Sequence, residues 1–267
     1  MAKPGFLWLL LGSVGCDPNV VDAVREPVPV VVPEPVSPLE GSLIHRYSFE
    51  GDGNAVLDSK GAAHGQLFGT KLAGSGALPL AGGRTGEYVD LPNGIVSGLH
   101  DATFEAWLTW NGGGSWQRIF DFGGSTAGED MPAAGSSYLF LTTASSIDTG
   151  RMLPPALRVA YSQNGVGDED ICYGSGPFPI GAATHVAVVV DPAAETLSLY
   201  QDGTLLSECP LQRPLSKLDD VNNWLGRSNF SADEDLAGSY DEFRIYAAAL
   251  TAREIADSFK AGPDAKP

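Results

Sequence analysis

Short runs of alternating apolar and polar residues, separated by turn-forming residues, constrain the fold of this chain more than any other feature. Residues 102–110 read ATFEAWLTW, which places Phe104, Leu108 and Trp110 on one face of an extended strand. Such runs recur up to residue 246, whereas only the segment after Thr251 has a helical pattern, opened by a capping box. The sequence therefore predicts an all-β, two-sheet antiparallel sandwich of roughly twelve strands with one short C-terminal helix.

Two segments define the middle of the predicted sandwich. Residues 185–191, HVAVVVD, are apolar on both faces and predict a central strand. The turn Gln201-Asp202-Gly203 lies between two β-patterned runs and predicts a hairpin. Splitting this part of the chain would leave neither half with a core, so we predict a single domain over residues 41–262.

Three finer expectations concern individual side chains and segments. Leu43 and Tyr47 should share one face of the first strand. Trp107 should point away from Trp110 and be buried by the second sheet. Gly123 to Ser137 is rich in glycine and predicts a long irregular loop, a kind of segment that is often functional.

The N-terminus predicts secretion. Lys3 precedes a short apolar run, and small residues stand just before Cys16, as in the lipobox that a lipoprotein signal peptidase reads. We predict a signal peptide over residues 1–15 and lipidation of Cys16; the alternative is an ordinary signal, with Cys16 removed or incidental. Prolines between residues 16 and 40 favour an extended tether, at about 3 Å per residue.

These features predict a cell-envelope lipoprotein, periplasmic or surface-exposed, that touches the membrane only through its lipid anchor. Of the three cysteines, Cys172 and Cys209 remain once Cys16 carries lipid, and an oxidising compartment favours a disulfide between them. Cys172 precedes the central strand and Cys209 follows the neighbouring hairpin strand, so the two should lie close together. The alternative is a pair of free buried thiols.

The charge balance excludes one class of partner. Lys and Arg number 16 against 33 Asp and Glu, which gives a net charge of −17. Binding to nucleic acid relies on basic patches, so we expect no nucleic-acid partner.

The motifs, taken in order, resemble a known family of domains. The segments that carry the likeness are HRYSFEGDGNAVLDSKGAAHGQLFG (45–69), GEYVDLP (86–92), ATFEAWLTW (102–110), THVAVVVDPAAETLSLYQDGTLL (184–206) and AGSYDEFRIYAAALTAREI (237–255). Together they resemble the laminin-G-like, concanavalin A-like lectin/glucanase jelly-roll domains of bacterial secreted proteins. The resemblance implies a jelly-roll fold, but this fold hosts lectins, adhesion domains and glycoside hydrolases, so it does not fix a function.

No catalytic pattern stands out in the sequence. Hydrolases of this architecture would need carboxylates at alternate positions of one strand, directed into a cleft. Glu105 stands alone on its strand, and Asp168-Glu169-Asp170 lies in what we predict to be a polar loop. We therefore expect a protein that is not an enzyme, although a triad assembled in space would escape this reasoning.

Acidic residues at the two ends of the domain predict a structural Ca²⁺ site. Glu50, Asp52 and Asp58 follow the first strand, and Asp241 lies in the last strand, which pairs close to the first in this fold. The resemblance points the same way, because many members of the family hold Ca²⁺ between the two chain ends. The alternatives are a turn-forming Asp58 and a buried Asp241 that accepts backbone N–H bonds.

Exposed aromatic residues beside polar loops would suit a sugar ligand. Trp110 and Trp116 flank a glycine-rich turn, and Tyr161 ends a strand, but packing explains each as well, so no ligand residue is assigned. We expect an envelope-anchored binding or adhesion module for a glycan or a cell-surface protein. The alternatives are a structural or scaffold lipoprotein without a ligand site and a divergent glycoside hydrolase.

Overall fold

A computed structural model describes residues 38–147, 149–150 and 152–265. The predicted signal peptide, Cys16 and most of the tether lie outside these residues. The described chain contains two short helices, α1 (Pro38–Ser42) and α2 (Ala252–Ala261), and a 3-10 turn at Leu215–Lys217. No helix in the described part of the chain is both long and apolar enough to cross a membrane.

The remaining regular structure is β-sheet. The strands are β1 (Leu43–Tyr47), β2 (Asp52–Gly53), β3 (Ala55–Val56), β4 (Gly65–Phe68), β5 (Leu72–Ala73), β6 (Leu78–Gly83), β7 (Tyr88–Leu91), β8 (Ala102–Trp110), β9 (Arg118–Ser125), β10 (Gly135–Thr142), β11 (Arg158–Ser162), β12 (Glu169–Tyr173), β13 (Ala183–Asp191), β14 (Thr196–Gln201), β15 (Thr204–Pro210), β16 (Asn222–Leu225) and β17 (Asp235–Tyr246). There are more strands than the roughly twelve predicted, because β2, β3 and β5 have only two residues each and show too little alternation to recognise.

The strands form two large antiparallel sheets and one small one. The seven-stranded sheet has the order β1-β17-β8-β13-β14-β15, with β6 also paired to β17. The eight-stranded sheet has the order β12-β11-β10-β9-β16-β7-β4-β3, and β2 pairs with β5. The predicted all-β sandwich is confirmed, as are the hairpin of β14 and β15 and the central position of β13 between β8 and β14.

The main core lies between the two large sheets and is rich in aromatic side chains. Phe104 and Phe243 from the seven-stranded sheet meet Phe120 and Phe122 from the eight-stranded sheet, with ring centroids 5.4–6.1 Å apart. Such pairs add about 0.5–1.5 kcal/mol each beyond the area they bury. The period-two alternation thus gives each sheet one face committed to this core.

A second, smaller core lies under α2, on the other face of the seven-stranded sheet. The helix begins at Thr251 with the predicted capping box, completed by Glu254, and Ile255 is buried beneath it. The Trp107 ring lies beside that of His185 in this layer, tilted by 48° with the ring centroids 4.5 Å apart. The expectation that the second sheet buries Trp107 is therefore wrong, because alternation gives the face of a side chain but not what covers that face.

Two further expectations need correction. A β-bulge between Leu43 and His45 shifts the register of β1, so Leu43 packs under α2 while Tyr47 lies between the sheets. The predicted loop from Gly123 to Ser137 is shorter than expected and spans residues 126–134, since β9 runs to Ser125 and β10 starts at Gly135. A Cβ on Gly123 would collide with the carbonyl oxygen of Ser137, which explains the glycine in a strand.

Candidate functional site

The eight-stranded sheet carries a cavity on its outer face, the face turned away from the inter-sheet core. The cavity has a volume of about 280 Å³ and opens to solvent. Its lining combines aromatic, apolar and charged side chains: Trp116, Arg118, Phe140, Arg158, Val166, Glu169, Phe230 and Asp233. We call it the Arg118–Arg158 cavity.

Strand alternation places Phe140, Arg158 and Glu169 on the outer face, and a register shift in the β9–β10 pairing brings Arg118 to the same face. In β10, Leu139 and Leu141 belong to the inter-sheet core, whereas Tyr138 and Phe140 form a separate cluster on the other side. The register aligns Phe140 with Asp121 of β9 on one side and with Ala160 of β11 on the other. Residues on three neighbouring strands therefore meet on the outer face, although they are distant in sequence.

Arg118 forms the floor of the cavity and is almost fully buried. Its guanidinium lies 4.0 Å from the Phe140 ring centroid and donates to the carbonyl oxygen of Trp116 at 2.7 Å. It also pairs with Oδ2 of Asp121 at 3.1 Å and with Oδ2 of Asp233 at 2.9 Å. These contacts hold the group in one position, since a buried guanidinium is stable only when its charge and N–H groups are satisfied.

Arg158 forms one wall and has an unused donor. Its Nη2 donates to Oε2 of Glu169 at 2.7 Å, and the Tyr138 hydroxyl donates to Oε1 of the same carboxylate at 2.7 Å. Arg158 Nε is buried and has no hydrogen-bond partner. An unpaired buried donor costs about 1–3 kcal/mol, so this N–H is a natural contact point for a ligand oxygen.

The loop between β16 and β17 forms the opposite wall. Asp121, fully buried, accepts hydrogen bonds from the backbone N–H and the side-chain amide of Asn229, both at 2.9 Å. Ser228 Oγ donates to Asp233 at 2.8 Å, and Phe230 packs edge-on against Tyr138. The loop is thus fastened to the sheet, and Phe230 is held at the cavity rim.

Burial perturbs the acidic groups of this face. It raises the pKa of Asp121, and it raises the pKa of Asp233, with the Arg118 charge acting in the opposite direction in both cases. Burial, followed by the negative charge of Asp130, raises the pKa of Asp90 in β7 to about 6. Oδ1 of Asp90 is buried and has no hydrogen-bond partner.

Trp116 occupies the mouth of the cavity in an unusual backbone conformation. Its φ is 70°, in the left-handed region that favours glycine, and its N–H donates to the carbonyl oxygen of Ala144 at 2.7 Å. A bulky residue there costs of order 1 kcal/mol or more and persists only where the surroundings enforce it. The indole is thereby presented beside Arg118 and Arg158, at 5.7 and 5.3 Å from its centroid.

A second, smaller cavity adjoins the first and shares Phe230 and Asp233 with it. It has a volume of about 180 Å³, and Arg84, Arg227 and Asp235 are among its lining residues. The Arg227 guanidinium lies 4.2 Å from the Tyr88 ring centroid and 4.4 Å from that of Trp224. The outer face thus offers two adjoining recesses.

The structure assigns different roles to the aromatic residues considered from the sequence. Trp116 lines the Arg118–Arg158 cavity. Trp110 is 3% exposed and donates through Nε1 to Gln117 at 2.8 Å, whereas Tyr161 is buried and donates to the carbonyl oxygen of Pro214 at 2.6 Å. Trp110 and Tyr161 are therefore packing residues, which is the alternative to ligand binding that the sequence left open.

Sequence reasoning missed most of the cavity. The prediction that Asp168-Glu169-Asp170 lies in a polar loop is wrong for its last two residues. Strand β12 starts at Glu169, which faces outward, while Asp170 is buried. A signal was present at Arg118 and Arg158, because an arginine within an apolar strand needs a paired anion on the same face. Phe230 and Asp233 gave no such signal, since a loop sequence does not state which face it covers.

The predicted calcium ligands lie in different places: two line an open cavity, and Asp58 is hydrogen-bonded within a turn. Glu50 and Asp241 line one open cavity together with Asp264, and burial followed by the Asp264 charge raises the pKa of Asp241. Asp58 instead accepts hydrogen bonds from His45 and from four backbone N–H groups, those of residues 46, 60, 61 and 63. This is the turn-forming role, with the bond to the residue two positions on.

Asp52 lies in β2 with an exposed side chain. Among residues 38–147, 149–150 and 152–265, no three His, Cys, Asp or Glu side chains are grouped closely enough to hold a metal ion. Ca²⁺ therefore stays a prediction, with Glu50 and Asp241 as the residues that the structure brings to one cavity.

The predicted disulfide is present. Cys172 in β12 and Cys209 in β15 are bonded, with their Cα atoms 5.7 Å apart. β12 and β15 are edge strands of the two large sheets, so the bond joins the sheets along one side of the sandwich.

Solved structures with a similar fold include carbohydrate-related domains. Domain 4 of AbnA, a GH43 extracellular arabinanase from Geobacillus stearothermophilus solved with arabinotriose, aligns over 81% of this chain and 97% of its own at 19% identity and a TM-score of 0.53. The CBM40 of the Ruminococcus gnavus IT-sialidase, bound to α2,3-sialyllactose, aligns over 68% and 95% at 13% identity and a TM-score of 0.53.

The Trypanosoma rangeli sialidase is larger: the alignment covers 83% of this chain but 33% of the sialidase, at 18% identity and a TM-score of 0.58. At these identities the likenesses concern the fold alone. No curated protein matches the chain. A family model described as the concanavalin A-like lectin/glucanases superfamily matches residues 82–256, and the chain belongs to this family.

Proposed function

We propose that this domain is a non-catalytic carbohydrate-binding module that takes its ligand in the Arg118–Arg158 cavity. The observation that carries the proposal is the buried, unpartnered Nε of Arg158 beside aromatic walls in a solvent-open recess. Sugar sites combine an apolar surface for the C–H face of the ring with fixed polar groups for its hydroxyls, and both are present here.

The rigidity of the site supports binding. Arg118 is held by ion pairs with Asp121 and Asp233, and the loop that carries Phe230 is hydrogen-bonded to the sheet through Asn229. A preformed site loses little conformational freedom when a ligand enters, which favours affinity for a small ligand. The fold relatives that were solved with arabinotriose and sialyllactose support a glycan over a protein ligand.

The proposal that the module does not hydrolyse its ligand rests on how the carboxylates are used. Glu169 is engaged by Arg158 and Tyr138, and Asp121 by Arg118 and Asn229. These contacts favour a structural role for Glu169 and Asp121 over the role of a general acid, nucleophile or base.

The binding test is a glycan array followed by calorimetry with the best ligand. Phe230→Ala should weaken affinity by about fivefold or more, because it removes an aromatic wall. Phe259→Ala is the matched control, since Phe259 lies on α2 beyond the other sheet and is 39% exposed. Equal affinity for wild type and Phe230→Ala, or the absence of any glycan ligand, would refute the proposal. A reducing-end assay with the bound oligosaccharide should detect no cleavage.

We further propose that the module is held at the cell envelope by a lipid on Cys16, with residues 16–40 as the tether. The disulfide between Cys172 and Cys209 supports an oxidising compartment, where such bonds persist. In a bacterial host fed a labelled fatty acid, the full-length chain should take up label and enter the detergent phase, and Cys16→Ser should do neither. Label retained by Cys16→Ser would exclude this anchor.

A further inference from the structure

The Arg118–Arg158 cavity contains two arginines, a feature that first suggests an anionic ligand. Each guanidinium is already neutralised, however. Arg118 is paired with Asp121 and Asp233, and Arg158 with Glu169. The three carboxylates outnumber the two guanidinium groups of this cavity. With Arg84, Arg227 and Asp235 of the adjoining recess the charges balance, so no net positive charge faces a ligand.

The polar positions left open suit a hydroxyl group. Arg158 Nε is the buried donor without a partner, and the contacts of Asp233 with Arg118 and Ser228 fall on Oδ2, which leaves acceptor positions on Oδ1. A ligand hydroxyl group can accept a hydrogen bond from Arg158 Nε and donate one to Asp233 Oδ1, whereas a ligand carboxylate can only accept. A ligand carboxylate would therefore accept a hydrogen bond from Arg158 Nε but would be repelled by the carboxylate of Asp233.

The walls and the size of the cavity limit the rest of the ligand. Arg118 covers the Phe140 ring at 4.0 Å, so Trp116 and Phe230 are the partly exposed aromatic surfaces. At about 280 Å³ the cavity is near the lower end of ligand sites, which run from about 300 to 1,000 Å³. It suits a single sugar ring with one apolar face.

We infer that the cavity selects a neutral sugar unit and discriminates against sugars that carry a carboxylate, although two arginines line it. This inference rests on the proposed carbohydrate-binding function and names the ligand class. The uncharged ligand places its hydroxyls on Arg158 Nε and Asp233 and its apolar face on Trp116 or Phe230. The carboxylates of Glu169, Asp233 and Asp121 repel an acidic sugar.

Matched ligand pairs test the inference. Methyl galactoside against methyl galacturonide, methyl glucoside against methyl glucuronide, and lactose against 3′-sialyllactose each compare an uncharged ligand with an acidic one. Calorimetry on the wild-type domain should give the neutral member an affinity higher by about tenfold or more. Raising the salt concentration should leave that affinity unchanged, because no ligand charge is involved.

The outcomes separate this inference from the function on which it rests. Equal or tighter binding of the acidic member in every pair that binds would overturn the neutral preference and leave carbohydrate binding intact. Binding of neither member in any pair, together with no ligand on the glycan array, would overturn both.

Two variants test the cause of the preference. Glu169→Gln and Asp233→Asn each remove one negative charge while keeping the shape of the side chain, and each should reduce the discrimination between the paired ligands severalfold. Glu208→Gln, an exposed residue of β15, is the control and should leave it unchanged. Circular dichroism should first show that both cavity variants are folded. If both then retain the full preference for the neutral ligand over the acidic one, the electrostatic explanation is refuted.

Discussion

The guanidinium of Arg118 lies over the Phe140 ring, 4.0 Å from its centroid, and joins β9 to β10 on the outer face of the eight-stranded sheet. The same group pairs with Asp121 below it and with Asp233 on the β16–β17 loop. One side chain thus links two strands and a loop at the floor of the cavity. Stability and ligand recognition depend on the same contacts there.

Replacing Arg118 by methionine should destabilise the domain strongly. Asp121 is fully buried and would lose its cation, and breaking such a pair from one side costs about 3–5 kcal/mol. Urea denaturation followed by tryptophan fluorescence gives the free energy of unfolding. The double variant Arg118→Met/Asp121→Asn should lose less unfolding free energy than the single variant, because it no longer buries an uncompensated negative charge. A single-variant loss below about 1 kcal/mol would mean that Asp121 does not need its partner.

The sequence predicted those parts of the fold that depend on local alternation. β8, β13 and the β14–β15 hairpin have period-two patterns long enough to identify, and α2 has a capping box. The ends of β9 and β10 were included in the predicted loop because Gly123 and Gly135 look like loop residues, although close packing of neighbouring backbone and side chains is what requires glycine there.

The cavity could not be predicted in this way, since it depends on register between strands that are far apart in sequence. Arg118 and Arg158 lie on strands separated by β10, and Phe230 reaches them from a loop. Charged residues inside apolar strands indicated an ion-paired face, but their partners appear only once the sheet order is known. The metal prediction shows the same limit: local sequence groups Asp58 with Glu50, while hydrogen bonding commits Asp58 to its own turn.

Removing the disulfide should cost about 3–4 kcal/mol of stability. The bond closes a loop of 37 residues and joins β12 to β15 at the edges of the two sheets, so its loss frees the unfolded chain and loosens one side of the sandwich. Cys172→Ala/Cys209→Ala and reduced wild-type protein should show the same lowered midpoint in urea. Reductant should have no effect on the double variant, and a variant as stable as oxidised wild type would contradict the prediction.

Replacing Asp90 by asparagine should stabilise the domain at neutral pH. Burial raises the pKa of this carboxyl from 3.8 to about 6, so above pH 6 the folded state holds an ionised group that it disfavours. The folded state binds the proton more tightly than the unfolded state, and the stability of the wild type therefore rises as pH falls from about 6 to about 4. Asp90→Asn should gain about 1–2 kcal/mol at pH 7.5, after allowance for partial exposure.

The gain should disappear near pH 4, where Asp90 is protonated in the folded state and largely so in the unfolded state. Urea denaturation of wild type and variant at both pH values measures the difference. Asp257→Asn is the control, since its side chain is 60% exposed, and it should change stability little at either pH. A gain of equal size at pH 4 and pH 7.5 would show that ionisation of Asp90 is not its cause.

Calcium should raise the melting temperature if Glu50 and Asp241 hold it as the sequence predicts. Asp241 shares its cavity with Glu50 and Asp264, and a divalent cation would relieve the repulsion among these carboxylates. At a Ca²⁺ concentration 100 times the dissociation constant, the stabilisation would be about 2.7 kcal/mol. The effect should be smaller at pH 5 than at pH 7, because protons compete for Asp241, whose pKa is raised.

Variants distinguish the two settings of the predicted ligands. Asp241→Asn and Glu50→Gln should abolish the calcium-dependent shift, because each removes an oxygen charge from the shared cavity. Asp58→Asn should lower the melting temperature through its lost hydrogen bonds while retaining the full calcium response. A calcium response that Asp58→Asn abolishes and Asp241→Asn preserves would place the ion at the turn of Asp58. Equal melting temperatures in Ca²⁺ and in chelator would exclude a structural calcium ion from this domain.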